Sequence, residues 1–189
     1  MLVKRSHRQS RKTLNVCTAY TEQFVEKMAK VNRGKDFERQ VKSAFEKIEG
    51  VSIDRLKDSM SGYMGDNTIC DFIVYKKPYE FYIECKAIHG NTLNFKSDIR
   101  PNQWEGLLEK SGICGVHTGF MVWFIDHDLT VYVDASVMAN MRLSGLKSLN
   151  VKDLDYIENI QSPQLIKIEG RKKRILYDYD MNSFFNKFM

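Results

Sequence analysis

Several marks of large function classes are missing from the chain. Its four cysteines, Cys17, Cys70, Cys85 and Cys114, stand singly with no C-x-x-C spacing, which argues against a cysteine-based zinc site and for a reduced chain. No apolar run approaches eighteen residues, and no signal-peptide core is present. The expected setting is therefore soluble and cytoplasmic, with no membrane partner. Neither G-x-x-x-x-G-K-[ST] nor G-x-G-x-x-G occurs, so the glycines of "SGYMG" are no nucleotide cradle. His7, His89, His117 and His127 lack metal spacings such as H-E-x-x-H, and His89 reads as a polar strand end. There is no internal repeat and no low-complexity linker.

What is present describes one globular unit. At 189 residues, 43% hydrophobic and 12% aromatic, the chain can bury a proper core. Lysine and arginine number 29 against 24 acids, a net charge of +5 that leans towards an anionic partner. The basic excess opens the chain: Lys4, Arg5, Arg8, Arg11 and Lys12 precede the first acid, Glu22, and read as an arm able to lie along phosphates. With a short helix from Thr21 to Val31, this arm makes residues 1–30 a segment distinct from the domain at 31–189.

Phe37, Val41, Ala44, Phe45 and Ile48 recur at i, i+4, i+7, i+8 and i+11, one face of an amphipathic helix. Gly50 ends it, "VSIDRL" at 51–56 alternates as a strand, and "MSGYMGDN" follows as a loop. "HGNTLNFKSDIR" reads as a loop leading to Pro101, which suits the first turn of a helix carrying Gln103, Trp104, Leu107 and Leu108. "GFMVWFI" and "TVYVDA" are strands joined at "DHD", and "VMANMRLS" is a helix. "QLIKIEGRKKRILYDY" reads as a hairpin turning at Glu169-Gly170, with "RKKR" at 171–174 either a solvated tip or a phosphate contact; "MNSFFNKF" is helical. Trp104, Trp123, Phe120 and Phe124 belong to the core, as do Met138 and Met141 unless they face a second subunit. The order of elements describes a sheet covered by helices.

The stretch "DFIVYKKPYEFYIECK", residues 71–86, places chemistry on a hairpin. If its turn centres on Lys77-Pro78, paired positions sum to 155 and Asp71 faces Glu84; proline's poor fit at the second central position favours a four-residue loop at 76–79 closed by Tyr75 and Glu80. Alternation then gives Phe72, Val74, Phe81, Ile83 and Cys85 one face and Asp71, Glu84 and Lys86 the other. Cys85 is thereby a buried hydrophobe and no nucleophile. Opposed carboxylates about 4.5–5.5 Å apart at Cβ repel, and Mg²⁺ between them relieves this with carboxylate oxygens. Lys86, roughly 6.6 Å further along the same face, can reach a phosphate, which is the arrangement for metal-assisted phosphodiester hydrolysis.

These residues resemble the signature of the PD-(D/E)XK nucleases, with Asp71 as the first acid and "ECK" at 84–86 as E-x-K. The chain is similar to the RecU type of Holliday junction resolvase: "NRGKDFE" at 32–38 resembles its N-R-G-x-x-x-E opening, and Gln103 stands where the family carries a helix-borne glutamine. The resemblance implies a restriction-endonuclease-like α/β core, a central mixed β-sheet flanked by helices. It implies Mg²⁺ or Mn²⁺ held by Asp71, Glu84 and the Cys85 carbonyl, with Lys86 stabilising the transition state. Glu38 would be an outer ligand or orient a water, Gln103 would lie near the metal or position Lys86, and Arg33 would contact phosphate or serve the fold. Ile69 stands where RecU proteins have a threonine, and only about thirty residues link Glu38 to Asp71 where they insert a stalk. That compactness accords with a phage origin. "RLKDSMSG" resembles the archaeal junction resolvases, which place a serine in this loop; Ser61 or Ser59 would take that part. The implied function is a homodimeric endodeoxyribonuclease resolving four-way junctions in recombination and repair. The alternatives are a nuclease for other branched or duplex DNA and a DNA-binding protein that does not cleave.

Overall fold

The apolar spacing of Phe37, Val41, Ala44 and Phe45 produces helix α1, Arg33–Glu46, with those four side chains buried. The computed structural model describes residues 32–56, 68–155, 157 and 165–189. The basic arm, the expected helix over 21–31, Ser59 and Ser61 lie outside the described residues. Gly50, at φ +74°, turns the chain from α1 into strand β1, Val51–Arg55.

β1 pairs antiparallel with β2, Phe72–Lys76, which pairs antiparallel with β3, Tyr79–Ile88. Every pair from Phe72↔Ile83 to Lys76↔Tyr79 obeys the expected sum of 155. The expected four-residue loop is corrected to a two-residue turn. Lys76 and Tyr79 still pair, and the Lys77–Pro78 peptide is cis, the form in which proline occupies the second central position of a turn.

From β3 the chain passes through β4, Thr92–Asn94, and helix α2, Pro101–Ser111, to β5, Val116–Phe124, which lies parallel to β3. β6, Leu129–Asp134, returns antiparallel. Helix α3, Ala135–Leu143, starts where the Asp134 carboxylate accepts the Ser136 N–H. The segment expected as a plain loop before Pro101 contains β4, which pairs with β7, Ser148–Asn150, in a small sheet of its own. Three-residue strands are too short to show a period.

β8, Leu165–Lys167, completes the central sheet, in the order β1-β2-β3-β5-β6-β8. The hairpin expected to turn at Glu169-Gly170 turns instead at Arg174-Ile175, joining β9, Gly170–Lys173, to β10, Leu176–Tyr179. Gly170 is required for close approach, since a Cβ there would lie 2.8 Å from the Tyr179 ring; the left-handed turn residue is Arg174, at φ +57°. A short helix α4, Met181–Phe185, follows.

Two apolar layers result, each filled as alternation dictates. Phe72, Val74, Phe81, Ile83, Met121 and Trp123 meet α1 and α4 on one face. Phe120, Val122, Phe124, Val131 and Val133 meet Trp104 and Leu107 of α2 and Val137, Met138 and Met141 of α3 on the other. The architecture is the α/β class expected, a mixed sheet flanked by helices. Among the described residues no helix is long and apolar enough to cross a membrane.

Candidate active site

Asp71 stands one residue before β2, at the point where the ladder stops. Its N–H donates to the Ile83 carbonyl at 3.1 Å and its carbonyl accepts the Leu56 N–H at 2.9 Å. The backbone therefore bends at Asp71 instead of extending the ladder squarely to Glu84. The bend turns the carboxylate onto β3, where Oδ2 accepts the Cys85 N–H at 2.8 Å. Two contacts hold the approach to this bend. Asn102 donates to the Thr68 carbonyl at 2.9 Å, and Ile69 occupies the space that Gly106 of α2 leaves open.

Glu84, Lys86 and Gln103 form one network. Lys86 Nζ lies 2.9 Å from Glu84 Oε1 and donates to Gln103 Oε1 at 3.1 Å. Gln103 Nε2 donates to that same Glu84 oxygen, and Gln103 Oε1 also accepts the Arg100 N–H at 3.1 Å. The amide thus serves the first turn of α2 and the two β3 side chains together. Gln103 is fully buried and Glu84 only 3% exposed, so each polar group depends on these partners.

The electrostatics follow from that burial. Glu84 is pushed up to about 7, first by burial and then by the negative charge of Asp71, with Lys86 opposing. Burial also raises Asp71, against the Cys85 N–H and the Lys86 and Arg55 charges. Burial and the two carboxylates lift the Cys85 thiol well above its ordinary value, so its packing against the α1 face accords with an inert side chain.

Glu38 reaches the site's edge from α1. It is ion-paired with Arg55, the last residue of β1, and is raised by burial and by the charge of Asp71. Arg33 lies 3.9 Å from Asp36 on the same helix. Among the described residues no three His, Cys, Asp or Glu side chains converge closely enough to hold an ion together, which leaves Glu38 outside the Asp71–Glu84 pair. Arg55 and Arg100 were not foreseen as site residues. Arg55 offsets charge at both Glu38 and Asp71, and Arg100 does so at Glu84; no motif marked either, because only the pairing of β1 beside α1 and the start of α2 bring them near. His89 bonds Asp126 at 3.0 Å as an exposed strand-end residue.

The donor set suits a hard divalent cation. Burial raises the cost of ionising both the buried Glu84 and the half-buried Asp71, and the Asp71 charge adds to it at Glu84; oxygen-preferring Mg²⁺ or Mn²⁺ removes that cost. An acid at a strand start, E-x-K on the next strand and a helix-borne glutamine on a mixed sheet make the layout of a phosphodiester-cleaving nuclease. The chain belongs to the archaeal Holliday junction resolvase family (Hjc), whose profile matches residues 29–146. Its members are endonucleases that act on DNA junctions in recombination and repair and depend on divalent metal. Among solved structures, a 1.6 Å structure of Hjc from Archaeoglobus fulgidus, a hyperthermophile Holliday junction resolvase, is similar at 17% identity and a TM-score of 0.41, over 55% of this chain and 78% of that one. No match is found among curated proteins.

Proposed function

We propose that this chain hydrolyses DNA phosphodiesters at four-way junctions with Mg²⁺ or Mn²⁺ bound by Asp71 and Glu84. The observation that carries the reading is the buried Glu84 beside the half-buried Asp71, with Lys86 and Gln103 tied to Glu84. When bound, the cation would polarise the phosphoryl group and lower the pKa of water. The Cys85 N–H holds the Asp71 carboxylate in place, and the Cys85 carbonyl is the backbone donor proposed beside it. Gln103 orients Glu84 through Nε2 and Lys86 through Oε1. Glu84 would hold the cation, and Lys86, bonded to Gln103, would present its ammonium to the charge that develops on the phosphate. Glu38, held by Arg55, is an outer group that orients water, and Arg33 and the amino-terminal cations contact phosphate.

The chain works as a homodimer on this reading, because paired nicks on opposing strands of a symmetric junction call for two sites related by a two-fold axis. We assign the domain to 31–189 and a cytoplasmic setting, in keeping with free Cys70, Cys85 and Cys114. The "NRGKDFE" opening supports a RecU-like variant, and its compactness a phage source.

The deciding experiment incubates the protein with a mobile four-way junction and a linear duplex of matching sequence, in Mg²⁺, Mn²⁺ or EDTA, beside Asp71→Asn. Symmetric nicks in the junction only, dependent on metal and absent from the variant, are expected. Equal cutting of both substrates would remove the junction selectivity, and no cutting in either metal would leave a binding protein.

A further inference from the structure

The β9–β10 hairpin lies beyond residue 146, outside the segment that the family profile matches, and none of the chemistry above uses it. It carries Arg171, Lys172, Lys173 and Arg174 in succession, all exposed. Its base is rigidly seated. Tyr177 packs edge-on against Trp123 with ring centroids 6.2 Å apart, and Tyr179 against Phe37 at 6.0 Å. The Tyr177 N–H donates to Gln40 of α1, and Tyr179 and Thr130 share a buried hydrogen bond of 3.0 Å.

The anchor points seat the hairpin against α1 and the sheet face it covers. Trp123 is the ladder partner of Ala87, the residue after Lys86, and Phe37 precedes Glu38 on α1. The cations are thus carried on the α1 face of the sheet, opposite the face that bears Glu84 and Lys86, on a support held by aromatic packing. Arg39 of α1 and Lys47, just past its end, line a groove with Lys173, Asp36 and Asp178 against the hairpin, so two further cations adjoin the four of the hairpin.

A run of cations at a hairpin tip is ordinarily a solvated face, and its charges then find local acids. Lys173 and Lys47 share Asp178, Lys172 pairs with Asp128 and Arg39 with Asp36. Arg171 and Arg174 have no such acid among the described residues. Three carboxylates among six cations leave a net positive strip, and the two unpaired groups are guanidiniums, whose fork matches phosphate oxygens.

We propose that this hairpin is a second DNA-contacting element, in which Arg171 and Arg174 grip the phosphate backbone of duplex flanking the scissile position. The inference rests on the nuclease reading. Because the two arginines hold no acid among the described residues, their replacement by glutamine leaves every ion pair described above in place.

The test is fluorescence anisotropy of the full-length chain with a four-way junction and with duplex, in EDTA, across a salt series, comparing wild type with the Arg171→Gln/Arg174→Gln double variant. Loss of two phosphate contacts lowers the slope of log affinity against log salt by about 2 and weakens binding at 0.1 M salt by tenfold or more. The thermal midpoint, and the cleavage rate at saturating DNA in Mg²⁺, stay at the wild-type level. An unchanged slope, with wild type binding DNA, overturns the hairpin's role alone; failure of wild type to bind either DNA overturns the nuclease reading and the hairpin with it.

Discussion

Gln103 Nε2 donates to Glu84 Oε1 while its Oε1 accepts Lys86 Nζ at 3.1 Å. One helix-borne amide therefore sets the distance between an acid and a base on the neighbouring strand. An amide does this because it is donor at one end and acceptor at the other.

Replacing Gln103 with Ala should separate positioning from binding. Glu84 and Lys86 stay in contact but lose their orientation, and the Arg100 N–H loses its acceptor. We expect a stability loss of about 1–3 kcal/mol and a fall of roughly 10–100-fold in single-turnover cleavage, with junction affinity in EDTA unchanged. Affinity falling in step with rate would mean that Gln103 serves the fold alone.

Asp71→Asn should abolish cleavage yet leave the metal-free protein as stable as wild type or more so. The asparagine carbonyl can still accept the Cys85 N–H, while the repulsion on Glu84 disappears. The check is a melting curve with Mn²⁺ and with EDTA: the wild-type midpoint rises with metal and the variant's does not. A variant that keeps its metal response would remove Asp71 from the ligand set.

Glu84 makes metal-free stability depend on pH. Its carboxyl is raised from 4.5 to about 7 in the folded chain, so the native state binds the proton more tightly than the unfolded state. The resulting stability is present below the unfolded value and is lost as pH rises through about 7, a change of about 3 kcal/mol at most. Denaturation in EDTA should therefore show a decline from pH 5 to pH 8. Both Glu84→Gln and saturating Mg²⁺ should flatten it, and a decline surviving in the variant would place its origin elsewhere.

Gly106→Ala should disturb the approach to Asp71 through Ile69. The added Cβ would stand 2.3 Å from Ile69 Cγ2, which forces a shift costing about 1–3 kcal/mol. Ile69→Ala in the same chain should restore most of the loss, measured as a coupling in a double-mutant cycle. Additive effects would show that the helix gives way without moving Ile69.

Local rules determined much of this protein in advance. Alternation over 71–86 yields the true register and assigns Glu84 and Lys86 to a face apart from the α1 core, because side-chain direction in a strand has a period of two. The period of Phe37, Val41, Ala44 and Phe45 places α1 for the same kind of reason, and Pro101 marks the start of α2. Non-local contacts decided the rest. The bend that aims Asp71 at the Cys85 N–H depends on Leu56, just past β1, and Ile83 of β3 reaching it from two sides. The meeting of Arg55 with Glu38 needs β1 laid beside α1. The tail's turn lies at Arg174-Ile175 and not at the more suggestive Gly170, because β8 is drawn into the central sheet and the Tyr179 ring requires a residue without a side chain across from it. Local periodicity is set by neighbours in the chain, whereas these arrangements are set by partners that only folding brings within reach.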